Sequence, residues 1–282
     1  MRILVTGAGG QLGSAAVARL GGREVLAADH AVLELADRER VEQVVGAFAP
    51  DVVLNCAALT DVDACERDPD LAYATNALGV RHLAVAAERL GAHVVHVSTD
   101  YVFDGSQRRP YHEWDDPAPV SEYGRSKLGG ELELARHCRS WAVVRTSWVF
   151  GRRGSDFVSW VLDAHRRGEL RGLVDDQTSC PTYAPDLAAA LVRLAAGRLP
   201  GLFHVRNEGA CSRHRFGVDV LELAGRDPSG VGTITSAELG RPAARPAYSA
   251  LDDRAWRLAG LPPLRHYREA LAEYLGDGGE AP

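Results

Sequence analysis

The sequence predicts an α/β fold built on a doubly wound parallel sheet. Short, almost wholly apolar runs alternate with longer segments of helical spacing, and a glycine-rich turn directly follows the first apolar run. Continuous apolar strands are typical of a parallel sheet that helices cover on both faces. Because the strand-helix-strand unit repeats, we expect right-handed crossover connections.

In the first half of the chain, the apolar runs predict strands and the segments between them predict helices. The predicted strands are residues 2–6, 24–28, 52–56, 94–98 and 142–146. The predicted helices are residues 11–20, 38–47, 71–90 and 123–138. We therefore expect residues 1–150 to form one domain around the sheet.

After Gly151 the alternation loosens, and residues 151–282 are expected to form a smaller, mostly helical domain that is interleaved with the first. The helices predicted there are residues 157–167, 185–196, 213–224 and 267–275. Short strands near Leu173 and at residues 202–205 are expected to join this smaller unit. A loop at residues 238–248 and a frayed tail at residues 276–282 complete the prediction.

Composition excludes several classes of function. The chain has 282 residues and is 46% hydrophobic, enough to bury a sizeable core. Its net charge is -6, and acids and bases are interspersed, so neither a nucleic acid nor an anionic membrane is expected as a partner. We expect a small ligand instead.

The cysteines and the first residues indicate the compartment. The five cysteines are widely spaced and form no Cys-x-x-Cys pair, so neither a zinc site nor a redox dithiol is indicated, and no metal is expected. Free thiols are typical of a reducing cytosol. With no apolar leader and no run of membrane-spanning length, the sequence predicts a cytoplasmic protein.

The glycine-rich turn has the features of a dinucleotide site. Gly7, Gly10 and Gly13 lie between the first predicted strand and helix. Glycines there permit a tight turn and let backbone N–H groups approach a pyrophosphate at the positive end of the helix. The spacing G-x-x-G-x-x-G differs from the usual G-x-G-x-x-G, so the position after the first strand decides the interpretation. It indicates a Rossmann domain.

Asp29 closes the second predicted strand and lies about 20 residues after the glycine-rich turn. An acidic residue at this position usually contacts the adenosine ribose of the dinucleotide. A carboxylate at this point repels a 2′-phosphate and favours NADH. Four basic residues lie close enough in sequence to complicate that preference, namely Arg23, His30, Arg38 and Arg40. NADPH and NADH therefore both stay open. The alternative is that Asp29 is only a solvated turn residue.

A threonine, a tyrosine and a lysine predict the catalytic group. Tyr123 and Lys127 are four residues apart and share one helix face, and Thr99 ends the preceding strand. Carboxyl ends of parallel strands line the ligand crevice, so we expect all three there. A nearby ammonium should lower the phenol pKa from about 10 to about 7, which takes roughly 4 kcal/mol. Tyr123 would then deliver a proton while hydride arrives from a nicotinamide.

Six motifs in chain order carry a resemblance to a known family. They are Gly10-Gln-Leu-Gly13, Thr99-Asp-Tyr-Val-Phe-Asp-Gly105, Tyr123-Gly-Arg-Ser-Lys127, Arg145-Thr-Ser-Trp-Val-Phe-Gly151, Asp176-Gln-Thr-Ser-Cys-Pro-Thr-Tyr183 and Arg245-Pro-Ala-Tyr-Ser249. Over residues 1 to about 275 the sequence resembles the dTDP-4-dehydrorhamnose reductase family, which are extended short-chain dehydrogenases. The resemblance implies NADPH- or NADH-dependent reduction of the C4 ketone of a dTDP-4-keto-6-deoxyhexose, a C-terminal substrate domain and a possible homodimer.

Carried over by motif, the resemblance implies a role for each site residue. Thr99, Tyr123 and Lys127 become the catalytic trio, and Lys127 also holds the nicotinamide ribose. The implied cofactor contacts are Gln11, Leu12 and Gly13 at the pyrophosphate, Glu34 and Leu35 at the adenine, and Ala57, Ala58 and Leu59 along the cofactor. The implied substrate contacts are Val62, Thr99, Asp100, Tyr101 and Trp148.

The chain departs from the family pattern near the sugar. It has Pro119-Val-Ser-Glu-Tyr123 where P-x-N-x-Y is frequent, and Arg245-Pro-Ala-Tyr-Ser249 where R-P-x-N-S is usual. Asp156 replaces a common Asn, and Glu34-Leu35 replaces Asp-Leu or Asp-Ile. We expect the chemistry to be retained and the sugar pocket to differ.

Two other functions fit the same scaffold. One is a nucleotide-sugar epimerase or 4,6-dehydratase, but a dehydratase commonly has Asp-Glu after the strand-end Thr, whereas Asp100 is followed here by Tyr101. The other is a non-catalytic regulatory subunit that binds a dinucleotide. The presence of Thr99, Tyr123 and Lys127 favours catalysis over that role.

Overall fold

A computed structural model describes residues 1–154 and 156–276, so the predicted tail beyond Gly276 lies outside the described residues. Its strands are β1 Arg2–Thr6, β2 Glu24–Ala28, β3 Val52–Asn55, β4 His93–Thr99, β5 Trp141–Thr146, β6 Val149–Phe150, β7 Gly172–Val174, β8 Thr178–Ser179, β9 Thr182–Tyr183, β10 Gly201–His204, β11 Cys211–Ser212 and β12 Gly232–Ile234. Its α-helices are α1 Gln11–Ala18, α2 Arg38–Phe48, α3 Val62–Arg67, α4 Pro69–Tyr73, α5 Gly79–Leu90, α6 Glu122–His137, α7 Phe157–Arg166, α8 Ala184–Gly197, α9 Arg213–Leu223, α10 Ser236–Leu239, α11 Arg254–Leu258 and α12 Tyr267–Gly276.

The main sheet has six parallel strands in the order β10-β5-β4-β3-β1-β2. Thr6 pairs with Asn55 across β1 and β3, and Thr99 pairs with Thr146 across β4 and β5, so the carboxyl ends of the strands form one edge. The strand order reverses between β1 and β3, the switch point at which such sheets bind ligands. The predicted Rossmann-type doubly wound sheet is confirmed.

Helices cover both faces of this sheet, as the continuous apolar strands indicated. Successive strand residues face opposite sides. Ile3 and Val5 therefore pack with α1 and α8, whereas Leu4 packs with α2 and α5, and all three are fully buried. The packed sheet thus fixes the positions of the residues at the ends of its strands.

A third apolar cluster lies in the second half of the chain. It brings α7, α9, α12 and β7 together around Phe150, Phe216 and Tyr267. These elements fit the smaller, mostly helical unit that the sequence indicated.

The strand predicted at residues 202–205 was wrongly assigned to that unit. It forms β10, which pairs with β5 in the main sheet, with Leu202 opposite Val143. The preceding helix α8 packs against α1 in the core of the sheet. The physical reason is that β5 would otherwise be an edge strand with a row of unpaired backbone groups.

The single helix predicted at residues 71–90 is broken into α4, a π-helical segment Ala74–Leu78 and α5. Within the π segment, Asn76 hydrogen-bonds both polar backbone groups of Leu59, at 2.8 and 3.0 Å. Its amide also lies 3.0 Å from Ser126 Oγ on α6. The extra residue of a π turn lets one polar side chain face inward without ending the helix.

None of the helices in residues 1–154 and 156–276 has the length and apolarity needed to cross a bilayer. The same residues contain no group of three or more His, Cys, Asp or Glu side chains arranged for a metal ion. All five cysteines are free thiols.

Candidate active site

A cleft of about 840 Å³ opens at the carboxyl edge of the sheet. It brings together the β1–α1 turn, the end of β4, the start of α6 and part of the second half of the chain. The predicted site residues that line it are Gly7, Gly10, Gln11, Leu12, Gly13, Asp29, Glu34, Leu35, Ala57, Ala58, Thr99, Asp100, Tyr123, Lys127 and Trp148.

Three predicted site residues do not line this cleft: Leu59, Val62 and Tyr101. Leu59 is half-buried with its backbone bound by Asn76, and Val62 is the half-buried first residue of α3. Tyr101 is buried, and its ring packs edge-on against Tyr123 with the centroids 5.6 Å apart. A sequence motif places these three residues near the site, but it does not show that neighbouring side chains separate them from the cleft.

The glycine turn is packed so closely that side chains are excluded from it. Gly7 has a φ of +64°, and a Cβ there would lie 2.8 Å from the backbone of Ala57. A Cβ on Gly13 would collide with the carbonyl oxygen of Gly7. Gly10 is the N-cap of α1 and has no side chain to bond the first-turn N–H groups. A pyrophosphate therefore fits this end of the helix.

Acidic side chains lie beside the turn, after β2. Asp29 Oδ1 accepts hydrogen bonds from the backbone N–H groups of Ala31 and Val32, at 3.0 and 3.1 Å. Glu34 Oε2 lies 2.7 Å from His30 Nδ1. The carboxylates of Asp29 and Glu34 are thus held at a wall of the cleft.

Thr99 and Tyr123 are hydrogen-bonded to each other through their side chains. Thr99 is the last residue of β4, and Tyr123 lies in the first turn of α6, where Ser121 accepts the Gly124 N–H at 3.2 Å. Burial raises the pKa of Tyr123, and the hydrogen bond from Thr99 opposes that rise. The phenol consequently keeps its proton at neutral pH.

Lys127 lies one turn further along α6 and is 2% exposed. Its Nζ donates to the carbonyl oxygen of Val97 at 2.7 Å. Burial lowers the pKa of Lys127 to about 8, and the charge of Glu131 raises it. The expectation that Lys127 brings the pKa of Tyr123 toward 7 is wrong for this structure, because burial of the phenol outweighs the effects that lower its pKa.

A buried ion pair beneath Lys127 was missed by the sequence reasoning. Arg145 of β5 donates to the two carboxylate oxygens of Glu131 at 2.9 and 2.7 Å, and Ser98 Oγ donates to Glu131 Oε1 at 2.5 Å. A signal was present, since Glu131 follows Lys127 by four residues and so shares its helix face. The network fixes α6 against the carboxyl ends of β4 and β5.

Asp100 joins the two halves of the chain at the cleft. Its carboxylate accepts hydrogen bonds from Thr99 Oγ1 at 3.1 Å, Ser179 Oγ at 2.9 Å and Ser249 Oγ at 2.5 Å. Burial raises the pKa of Asp100 to about 6, although the hydroxyls lower it. Ser179 and Ser249 were not singled out from the sequence, yet both belong to motifs that carry the family resemblance.

Trp148 and Arg213 form a wall of the cleft. Trp148 follows β5 with a φ of +43°, and the Arg213 guanidinium lies over its ring, 3.6 Å from the centroid. Arg213 is the first residue of α9 and was not predicted as a site residue. An arginine that opens a helix gives no sequence signal that separates it from a surface cation.

The sheet, the turn and the hydroxyl pair beside a buried lysine define a class of protein, the Rossmann-fold oxidoreductases of the short-chain dehydrogenase type. Within this class, the chain belongs to the family described as RmlD substrate binding domain, whose model matches residues 1–278. The predicted family is confirmed.

Individual relatives agree with this assignment over more than nine tenths of their length. The chain is 47% identical over 283 residues to the dTDP-4-dehydrorhamnose reductase of Mycobacterium tuberculosis (strain ATCC 25618 / H37Rv), covering 97% of this chain and 92% of that protein. It is 42% identical to the spore coat polysaccharide biosynthesis protein SpsK of Bacillus subtilis, covering 99% of each. A crystal structure of dTDP-4-dehydrorhamnose reductase from Bacillus anthracis in complex with NADP matches with a TM-score of 0.94 at 35% identity, covering 98% of this chain and 99% of that one.

Proposed function

We propose that this protein uses NADPH or NADH to reduce the C4 ketone of a dTDP-4-keto-6-deoxyhexose in deoxysugar biosynthesis. The observation that carries the proposal is the hydrogen-bonded pair of Thr99 and Tyr123 in the same cleft as the glycine turn. Two of the relatives named above are dTDP-4-dehydrorhamnose reductases, which supports this substrate class.

The glycine turn and the adjoining cleft walls would hold the dinucleotide, which when bound supplies the hydride. We assign the pyrophosphate to the turn because the turn leads into the positive, amino-terminal end of α1. The Bacillus anthracis relative is described in complex with NADP, whereas Asp29 favours NADH, so either cofactor is accepted in this proposal. The proposed contacts are Gly7, Gly10, Gln11, Leu12, Gly13, Asp29, Glu34, Leu35, Ala57, Ala58, Leu59, Tyr123 and Lys127.

Tyr123 is the proposed proton donor to the sugar oxygen at C4. Its raised pKa keeps the proton on the phenol until negative charge develops on that oxygen. Thr99 orients the same oxygen, and its hydroxyl also stabilises the phenolate that remains after donation. Both groups come from rigid elements, the end of β4 and the first turn of α6, so little reorganisation is needed.

Lys127 is proposed to hold the nicotinamide ribose and to supply positive charge near the phenolate. With a pKa of about 8 it is mainly protonated at neutral pH. Its Nζ has further N–H donors besides the one directed at Val97. The buried carboxylate of Glu131, one turn further along α6, favours the charged form of Lys127.

On the substrate side, we assign Asp100 and Trp148 to the wall that meets the sugar. Val62 and Tyr101, which lie outside the cleft lining, are proposed to complete the pocket from behind that wall. We further propose that residues 1–150 bind the dinucleotide and contribute Asp100 and Trp148 to the sugar wall. Residues 151–282 would supply the rest of the substrate domain, except for α8 and β10, which belong to the main sheet. A homodimer, a cytoplasmic location and the absence of a nucleic-acid partner stay predictions.

The test is turnover with a defined substrate. Purified protein is incubated with a dTDP-4-keto-6-deoxyhexose and either reduced cofactor, and the product is identified by NMR. The proposal expects one cofactor oxidised for each sugar reduced at C4. Sugar conversion without net cofactor oxidation would identify an epimerase, and loss of water from a dTDP-hexose that still carries its C6 hydroxyl would identify a dehydratase. Dinucleotide binding without conversion of either sugar would identify a regulatory subunit.

A further inference from the structure

Arg213 is a charged side chain of the cleft that the proposed chemistry does not use. Its guanidinium lies 3.6 Å from the ring centroid of Trp148 and 5.0 Å from that of Phe157. Its side chain also hydrogen-bonds to the Tyr101 hydroxyl. Two aromatic rings and one hydroxyl therefore hold the guanidinium in a fixed place at the cleft wall.

The charge of Arg213 is not matched by a carboxylate in direct contact. Among residues 1–154 and 156–276, no Asp or Glu oxygen forms an ion pair with it, whereas Arg145 and Arg245 are paired with Glu131 and Asp63. Arg213 is half-buried in this wall, and its burial lowers the pKa of the guanidinium. The charge of Asp100 acts on Arg213 without a contact between them, and a guanidinium with no carboxylate in direct contact is a favourable site for an anionic ligand group.

The position of Arg213 relative to the proton donor fits the substrate. The Tyr101 ring contacts Tyr123 on one side, with centroids 5.6 Å apart, and the Tyr101 hydroxyl meets Arg213 on the other. The side chain of Tyr101 thus separates the phenol of Tyr123, the proposed proton donor, from the guanidinium of Arg213. A hexose with C4 at Tyr123 carries its diphosphate on C1, at the opposite side of the sugar ring.

We propose that Arg213 binds the diphosphate of the nucleotide-sugar substrate. This inference rests on the proposed function. A guanidinium presents paired N–H donors that match two phosphate oxygens, and stacking on Trp148 fixes the plane of that fork. The other arginine of the cleft, Arg153, is exposed and lacks such stacking among the described ring contacts. The Lys127 ammonium is already directed at Val97.

The experiment measures calorimetric affinities of NADP-saturated protein for dTDP, dTMP and thymidine. Arg213→Gln should weaken dTDP binding by about tenfold to a hundredfold, because it removes charged hydrogen bonds to phosphate. Thymidine affinity should be unchanged, and Arg213→Lys should recover part of the loss. Arg226→Gln is the matched control, since Arg226 is exposed and lies beyond the carboxyl end of α9, whereas Arg213 is the first residue of that helix.

The outcomes separate this inference from the function on which it rests. If wild-type protein binds dTDP and reduces the keto-sugar but Arg213→Gln binds dTDP equally well, the Arg213 assignment is wrong and the function stands. An equal loss for thymidine and dTDP would also overturn the assignment, since it would show that Arg213 only supports the shape of the wall. Wild-type protein that neither binds dTDP nor reduces the sugar would overturn both. The NADP affinity and melting temperature of each variant report whether it folds.

Discussion

Tyr123 and Lys127 illustrate how burial sets the charge of a site residue. Removal from water disfavours the charged form of each, so the pKa of Tyr123 rises while that of Lys127 falls to about 8. At neutral pH the phenol still holds its proton, and the lysine is mainly an ammonium ion. In the proposed reaction, the two residues would therefore start as a proton donor and a neighbouring positive charge.

Cofactor preference is tested at Asp29. Its carboxylate is fixed at the cleft wall by the N–H groups of Ala31 and Val32, where it would repel a 2′-phosphate. Asp29→Ala should shift the ratio of kcat/KM for NADPH over NADH upward by roughly tenfold, because about 1.4 kcal/mol of repulsion is removed. Steady-state kinetics with both cofactors measure the ratio. An unchanged ratio would remove Asp29 from the cofactor site.

At the scale of elements, the β1–α1 turn is tested by adding one methyl group. In Gly13→Ala the new Cβ would collide with the Gly7 carbonyl oxygen, so the turn must open, at a cost of about 1–3 kcal/mol. We expect weaker NADPH binding and a lower melting temperature. Gly46→Ala in α2 is the matched control, since nothing lies within 4 Å of its Cβ; it should leave NADPH binding unchanged. Equal affinities in the two variants would contradict the proposed role of the turn.

Elements with strong local signals were predicted well from the sequence. The strands near the amino terminus and the helix that begins beside Tyr123 follow from apolar runs and spacing. The interruption at Asn76 was not predictable, because it satisfies the backbone of Leu59, which is distant in sequence. The position of Arg213 at the cleft was not predictable for the same reason, because the guanidinium contacts the ring of Trp148, which is distant in sequence. Local patterns report on neighbours along the chain, and these contacts join residues far apart in it.

At the scale of the molecule, Asp100 ties the sheet to the second half through Ser179 and Ser249. Its pKa of about 6 in the folded state exceeds the ordinary aspartate value of 3.8, so the folded state holds this proton more tightly than the unfolded state. The contribution of Asp100 to the free energy of unfolding is therefore largest below pH 4 and declines as pH rises from about 4 to about 6. The full decline is about 3 kcal/mol.

This pH dependence can be isolated with Asp100→Asn, which cannot ionise. Urea unfolding is measured for both proteins between pH 4 and pH 7. The wild type should lose stability relative to Asp100→Asn as pH rises through that window. A difference between the two proteins that stays constant with pH would show that Asp100 does not titrate with a raised pKa.

The central claim is that the Tyr123 phenol gives its proton to the sugar oxygen, and one measurement addresses it directly. Single-turnover reduction of a dTDP-4-keto-6-deoxyhexose is compared for wild type, Tyr123→Phe and Tyr73→Phe, a matched change at an exposed tyrosine of α4. Tyr123→Phe removes only the acidic oxygen and should slow the reduction by roughly a hundredfold or more while NADPH binding is retained. Tyr73→Phe should react at the wild-type rate. Reduction by Tyr123→Phe at a near-normal rate would contradict the account.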